Sequence, residues 1–153
     1  MSFFSFLPIF FLLPDYLSEN EDNMIDGFEE ITCPLDDYEQ GTLLPVMVQC
    51  LKKHIGRENA VNNNFMCASL STRGYSIGAA RVRKLINYIR VNDLVPCLMA
   101  TSVGYYVTED PLEMQKYIRS LRGRISAISE VLLAMEAQYE GMRPQPPKDK
   151  IAS

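Results

Sequence analysis

The sequence predicts a mainly α-helical domain that contains one β-hairpin and ends in a long helix. Apolar residues recur at three- and four-residue spacings through most of the chain, which is typical of amphipathic helices. Two short runs of strand-like composition flank Ser102-Val103-Gly104, which indicates a hairpin. After Asp110 a heptad pattern of apolar residues from Met114 to Met135 indicates a long final helix, which continues to about Tyr139.

The length of the chain is sufficient for one domain with a core, and its charge is unevenly distributed. The 153 residues are 47% hydrophobic and 22% charged, as is usual for a globular protein. Residues 1–40 contain ten acidic side chains and no Lys or Arg, whereas residues 41–125 contain twelve basic and five acidic ones, a net charge of +7. A basic segment of this kind can attract a polyanion although the whole chain carries −4.

No arrangement of residues predicts a metal site, a cofactor or an enzyme. The four cysteines are isolated in sequence and His54 is the single histidine, so the paired ligand spacing of a zinc site is missing. No nucleophile–base pair is evident, and Arg73–Arg81 lacks the ending of a phosphate loop. We therefore expect a non-enzymatic cytoplasmic protein with reduced thiols.

The apolar and acidic N-terminal segment is predicted to be an extension of the domain. Phe3–Leu13 is apolar but much shorter than the roughly 20 residues of a membrane-spanning helix. We expect no stable membrane insertion, and a weak membrane anchor is the alternative. The predicted organisation is a poorly ordered extension (1–33), a domain (34–110), a long helix (111–140) and a disordered tail (141–153).

Three helices are predicted before the hairpin. The first extends from about Leu35 to His54, with Asp36 or Asp37 as its cap and a kink at Pro45. The second, from Phe65 to about Leu70, is capped by the preceding asparagines, and Gly74 lies in the turn after it.

The third predicted helix, Ser76–Asn92 with Ser76 as its N-cap, concentrates positive charge. Its core stripe is Val82, Leu85, Ile86 and Ile89. Lys84, Asn87 and Tyr88 face largely away from this stripe, Arg81 lies at the border, and Arg83 and Arg90 lie on the remaining flank. The pattern predicts a polar, positively charged solvent face.

The hairpin and the start of the final helix have clear local signals. The predicted strands are Leu94–Thr101 and Tyr105–Thr108, joined by the turn that contains Gly104. Asp110 is a predicted N-cap followed by Pro111, and Glu113 completes the pattern of a capping box.

The segments RKLINYIR (83–90), GYY (104–106) and YIRSLRGRI (117–125), in this order, resemble small winged-helix proteins of bacteriophages and prophages. The resemblance covers about Leu35–Ala137. It implies a winged helix-turn-helix fold and a DNA-binding protein that acts in regulation or replication of a phage or mobile element. The alternative is a winged-helix module that binds another protein.

In this fold the third helix enters the major groove and the hairpin, Leu98–Val107, is the wing. The resemblance implies contacts with double-stranded DNA along the turn, the third helix and the wing. The alternative is an ordinary solvated face, and the wing tip carries no Lys or Arg. The predicted DNA-binding residues are Arg73, Tyr75, Ser76, Arg81, Lys84, Asn87, Tyr88, Thr101 and Ser102.

The final helix predicts a homodimer. Its apolar seam runs from Met114 to Met135. This is longer than the stretch of helix that would pack against a domain of this size. Gly123 and the lack of opposed charges beside the seam argue against a long free-standing coiled coil. The predicted dimerisation residues are Ile125, Ile128, Leu132 and Met135. The acidic segment Asp15–Glu39 either folds back on the basic face or keeps the protein in solution.

Overall fold

A computed structural model describes residues 31–144 and has the predicted class: mainly helical, with one antiparallel hairpin and a long C-terminal helix. The extension before residue 31, including Phe3–Leu13, and the tail after residue 144 lie outside the described residues. The elements in chain order are a π-helical turn (Glu39–Leu43), α1 (Leu44–Leu51), a 3-10 turn (Arg57–Asn59), α2 (Asn63–Thr72), α3 (Ala79–Val91), β1 (Leu98–Thr101), β2 (Gly104–Val107) and α4 (Pro111–Met142).

The predicted irregularity at Pro45 takes the form of the π-helical turn that precedes α1. The N–H of Leu44 donates to the carbonyl of Glu39, five residues earlier, and Pro45 follows in the first turn of α1. Pro45 has no N–H to donate, so a helix interior tolerates it only where the hydrogen-bond ladder is already altered. The wider turn brings Glu39 to a buried position.

One hydrophobic core joins α1, α2, α3 and the hairpin. The predicted core stripe of α3 is confirmed, because Val82, Leu85, Ile86 and Ile89 are all buried. Asn62 caps α2 by accepting a hydrogen bond from the N–H of Phe65, as predicted. The other buried apolar side chains of this cluster are Leu43, Met47, Leu51, Val61, Met66, Leu70, Val95 and Leu98.

Two residues between α1 and α2 pair with strand β2 of the hairpin. Val61 forms an antiparallel bridge with Tyr105, with N···O distances of 3.0 and 2.8 Å. Ile55 forms a second, parallel bridge with Val107. These bonds fix the hairpin against the segment that leads into α2.

The first predicted strand and the predicted cap of the third helix are wrong in their positions. β1 begins at Leu98, not Leu94, because Asp93 and Cys97 both have positive φ and the residues between them turn. Gly78, not Ser76, is the N-cap of α3, and no side chain caps this helix.

Glu113 joins the hairpin to α4 instead of completing a capping box. Its carboxylate accepts hydrogen bonds from the hydroxyls of Tyr106 and Thr108, each at 2.6 Å. Burial, and then the bond to Glu113, raises the pKa of Tyr106 to about 12. Asp110 is the N-cap, as predicted, and accepts from the N–H of Leu112.

The long helix α4 continues far past the domain. Leu121 is its last half-buried residue, and every side chain from Arg122 to Pro144 is exposed. Within residues 31–144 no helix is long and apolar enough to cross a membrane.

Gly104 is the position in the hairpin where a side chain has no room. Its φ is +131°, and a Cβ there would lie 2.6 Å from the carbonyl oxygen of Val61. We expect Gly104→Ala to lower the free energy of unfolding. Backbone strain contributes about 1–3 kcal/mol of this change, and the contact of the new Cβ with Val61 adds to it. Urea denaturation measures the change.

Gly123→Ala is the matched control for this prediction. A Cβ at Gly123 meets nothing within 4 Å, and alanine favours a helix over glycine by about 1 kcal/mol. The two variants should therefore change stability in opposite directions. Equal effects would contradict the steric role of Gly104.

Candidate functional site

The acidic segment just before α1 lies directly on α3. The carboxylate of Glu39 accepts from Lys84 Nζ at 2.6 Å and from Arg81 Nε at 3.0 Å. Asp36 adds a longer contact with Arg81, at 3.4 Å. Glu39 is 3% exposed and Lys84 8% exposed, so this ion pair is buried.

Local backbone chemistry holds the two carboxylates in place. Asp36 and Glu39 form a reciprocal capping box: the N–H of Glu39 donates to Asp36 Oδ1 at 2.7 Å, and the N–H of Asp36 donates to Glu39 Oε2 at 3.0 Å. Asp36 is therefore the helix cap, as one of the two predicted alternatives. The Tyr38 ring lies 5.9 Å from the Arg81 guanidinium, and its hydroxyl accepts from the N–H of Ser76.

The ion pair shifts both of its pKa values in the stabilising direction. Burial alone would raise the pKa of Glu39, but the hydrogen bonds from Lys84 and from the Asp36 N–H outweigh it, and the pKa falls below 4.5. Burial alone would lower the pKa of Lys84, but its hydrogen bonds with Glu39 and Cys33 raise it above 10.5. Both groups are therefore charged across the neutral range.

The expectation that Lys84 faces solvent is wrong. Residues 31–39 cover this side of α3, and Lys84 is buried beneath them. Arg81, Asn87 and Tyr88 are half-buried, and the Asn87 side chain reaches the carbonyl of Ile31 at 3.5 Å. The alternative in which the acidic segment folds back on the basic face is confirmed for Asp36 and Glu39.

The other predicted contact residues lie at two separate places. Arg73 and Ser76 are exposed in the turn between α2 and α3, where Tyr75 is half-buried against the core. Thr101 and Ser102 lie at the hairpin turn, and the Thr101 hydroxyl donates to the carbonyl of Gly104. The structure thus separates the hairpin residues from Arg81 and Lys84.

A different flank of α3 faces the hairpin. Ala79, Arg83 and Arg90 fall within a sector of about 40° on this helix. Arg90 donates to the Tyr117 hydroxyl at 2.7 Å, which donates to the carbonyl of Ala100 at 3.1 Å. Arg83 is exposed. We call this flank, together with the hairpin turn, the wing-side face.

Tyr105 is the half-buried residue of β2 beside this flank, and its hydroxyl donates to the Asn63 side chain. Burial raises the pKa of Tyr105, and the positive charges of Arg83 and Arg90 oppose the rise. The face therefore carries two guanidinium groups beside strand β2.

A polar groove completes the wing-side face at the N-terminus of α2. Asn63 holds the groove together, because it donates to the carbonyl of Ala79 at 3.3 Å and accepts from the Tyr105 hydroxyl at 3.4 Å. None of the groove-lining side chains is acidic. The groove is lined by Asn62, Asn63, Asn64, Ala100, Thr101, Ser102, Gly104 and Tyr105.

The asparagines and Arg83 were not among the residues predicted to bind. The helical pattern places Arg83 and Arg90 on one flank but does not tell which flank stays open.

Within residues 31–144, no group of three His, Cys, Asp or Glu side chains is placed to hold a metal ion.

Comparisons with known proteins found no relative of this chain. Neither a protein-family model, nor a curated protein, nor a solved structure matches this chain. The candidate site therefore rests on its own geometry: a neutralised flank on one side of α3 and a basic, polar flank on the other.

The buried ion pair predicts strong coupling between Glu39 and Lys84. Glu39→Leu leaves the Lys84 ammonium buried without its carboxylate, which should cost about 3–5 kcal/mol of unfolding free energy. In Glu39→Leu/Lys84→Met the charge is removed, so the double variant should be more stable than Glu39→Leu alone. A double-mutant cycle by urea denaturation measures the coupling.

Lys52→Met is the control for this cycle, since Lys52 is exposed at the end of α1. When Lys52→Met is combined with Glu39→Leu, the two changes in unfolding free energy should add. Additive changes for Lys84→Met as well would show that the pair contributes no coupling.

The lowered pKa of Glu39 also predicts a pH dependence. A carboxyl whose folded pKa is depressed stabilises the protein above its unfolded pKa, near 4.5, and this contribution is lost as pH falls through the folded pKa. Glu39→Gln should therefore reduce the loss of stability between about pH 5 and pH 3. Part of the loss should remain, because hydrogen bonds from Thr108 and Tyr106 also lower the pKa of Glu113. Thermal unfolding at each pH measures this loss of stability. If Glu39→Gln loses as much stability as the unmodified protein between about pH 5 and pH 3, the prediction is wrong.

Proposed function

We propose that residues 34–110 form a winged-helix domain that binds double-stranded DNA through the wing-side face. The observation that carries the proposal is the arrangement of elements. Helix α1, the bridge residue Val61, α2, α3 and the hairpin follow one another in the order of a winged helix, and Val61 pairs with the second hairpin strand. In that fold the third helix is the one that enters the major groove.

The wing-side face has the chemistry that a duplex requires. Phosphates are bound by guanidinium groups, amides and hydroxyls among other donors, and the face presents these three. Arg83 and Arg90 supply the charge, while the asparagines and hydroxyls of the groove supply neutral donors. Phosphate contacts would position the protein, and Arg83 is our candidate for a base contact because it is exposed on α3.

The neutralised flank of α3 supports the same orientation. Asp36 and Glu39 lie on the side of α3 that carries Arg81 and Lys84, so negative charge stands away from the hairpin. A duplex that approached this flank would meet the carboxylate of Asp36, which is half exposed. Arg81 and Lys84 are therefore not DNA contacts in this proposal; they hold the segment before α1 on α3.

The proposed role is regulation or replication in a phage or mobile element, without enzymatic activity. This role rests on the resemblance of the segments RKLINYIR, GYY and YIRSLRGRI. The rival is a winged-helix module that binds a protein partner. The two differ in one observable: only the first requires a salt-dependent affinity for duplex DNA.

A salt series of duplex binding tests the proposal. With Arg83 and Arg90 as the cationic contacts, the log–log slope of affinity against salt should be about −2, at roughly −0.9 for each phosphate neutralised. Arg83→Ala should weaken binding and reduce the magnitude of the slope by about 1. Fluorescence anisotropy on random and on phage or host duplexes measures both quantities.

Arg143→Ala is the matched control, since it removes the same charge at the far end of α4, where Arg143 pairs with Glu140. Its affinity and slope should equal those of the unmodified protein. If the folded protein binds no duplex even at low salt, the proposal is wrong and the protein-binding module takes its place.

A further inference from the structure

The exposed part of α4 carries an apolar seam that is regular over its whole length. Apolar residues alternate at spacings of four and three, which assigns them to heptad positions a and d. From Ile125 onward these side chains are between 51% and 81% exposed. The seam comprises Met114, Ile118, Leu121, Ile125, Ile128, Leu132, Met135, Tyr139 and Met142.

A seam of this regularity requires another helix of matching period. Arg122–Met142 extends about 30 Å at 1.5 Å per residue, and within residues 31–144 the chain packs no element against it. Large exposed apolar stripes on helices mark association surfaces. Gly123 lies at the outer heptad position f, so it does not interrupt the seam.

We infer that α4 pairs with α4 of a second copy of this chain in antiparallel orientation, with Ile128 of one copy facing Leu132 of the other. The inference gives an orientation and a register to the homodimer that the sequence predicts, and it does not rest on the proposed DNA binding. In this register Ile125 faces Met135, Leu121 faces Tyr139 and Ile118 faces Met142. The overlap therefore extends from residue 118 to residue 142 and covers the exposed seam.

Charges beside the seam select the orientation. In a parallel pair, a residue at position g faces position e of the next heptad. This would place Arg124 against Ser129 and Val131 against Glu136, with no opposite charges facing. Reversing one helix brings e against e and g against g.

The antiparallel register then brings complementary side chains together. Arg122 of each copy faces Glu136 of the other, so the ion pair forms twice, and Val131 faces Val131 at the two-fold axis. A shift of one heptad in one direction sets Arg122 against Arg143, and a shift in the other sets it against Ser129. The second shift would also set Tyr139 of one copy against Met114 of the other, and Met114 is half-buried beside the domain.

Cross-linking of single cysteines tests the orientation, in a Cys33→Ser/Cys97→Ser background that lacks the exposed thiols. The two copies of residue 142 would lie about 36 Å apart in the antiparallel pair, at 1.5 Å per residue, but adjacent in a parallel one. A short bis-maleimide should therefore cross-link Val131→Cys and fail to cross-link Met142→Cys. Val131 and Met142 are both exposed, so replacing either with cysteine preserves the fold. Cross-linking of Met142→Cys would overturn the orientation.

Charge reversal tests the register. Arg122→Glu and Glu136→Arg should each raise the dimer Kd about tenfold, since each turns two attractive pairs into repulsive ones. The combined variant should restore the original Kd, and Glu130→Arg at the outer position f should leave it unchanged. Sedimentation equilibrium measures the constants, and circular dichroism verifies that each variant is helical.

The other outcomes overturn the inference. A folded protein that is monomeric at tens of micromolar has no such interface, and a dimer unaffected by the reversals uses another surface. Since none of these measurements involves DNA, failure here is distinguishable from failure of the proposed function. A monomer that binds duplex would refute only the pairing.

Discussion

The buried contact between Glu39 and Lys84 constrains the rest of this molecule. A carboxylate and an ammonium that are almost fully removed from water stabilise the fold only if each is completely hydrogen-bonded. The π-helical turn before Pro45 places Glu39 in the required position, and the N–H of Asp36 adds a third hydrogen bond to its carboxylate beside those from Lys84 and Arg81. Through this contact the segment before α1 is fixed on α3, and one flank of that helix is closed.

Closing one flank defines what the other can do. The hairpin is attached to the opposite side of α3 through Arg90, Tyr117 and the carbonyl of Ala100, and to α2 through Asn63. These hydrogen bonds add to the shared hydrophobic core of helix and hairpin, and Arg83 beside them is exposed. The proposed DNA contact follows from this asymmetry: carboxylates stand on one side of α3, and guanidinium groups, amides and hydroxyls on the other.

The two proposed activities are separated along the chain. The domain presents polar donors near the hairpin, whereas the apolar seam of α4 is exposed without interruption only after Leu121, the last half-buried residue of that helix. Arg122 and Glu136 lie on the part of α4 whose side chains are all exposed, so the charge reversals do not alter the residues of the wing-side face. An antiparallel pair would hold two domains at opposite ends of a helical rod, which sets a fixed distance between two proposed binding surfaces.

The sequence by itself determined the elements with strong local signals. The core stripe of α3, the caps at Asn62 and Asp110, the turn at Gly104 and the heptad seam of α4 follow from periodicity and from the chemistry of single residues. Only the tertiary structure decided which flank of α3 is open, because Glu39 and Lys84 are 45 residues apart and no local pattern pairs them. The same reason explains Glu113, which fits a capping box by spacing but is bound by the Tyr106 and Thr108 hydroxyls. A charged side chain takes the best partner that packing brings within reach, and helical periodicity does not contain that information.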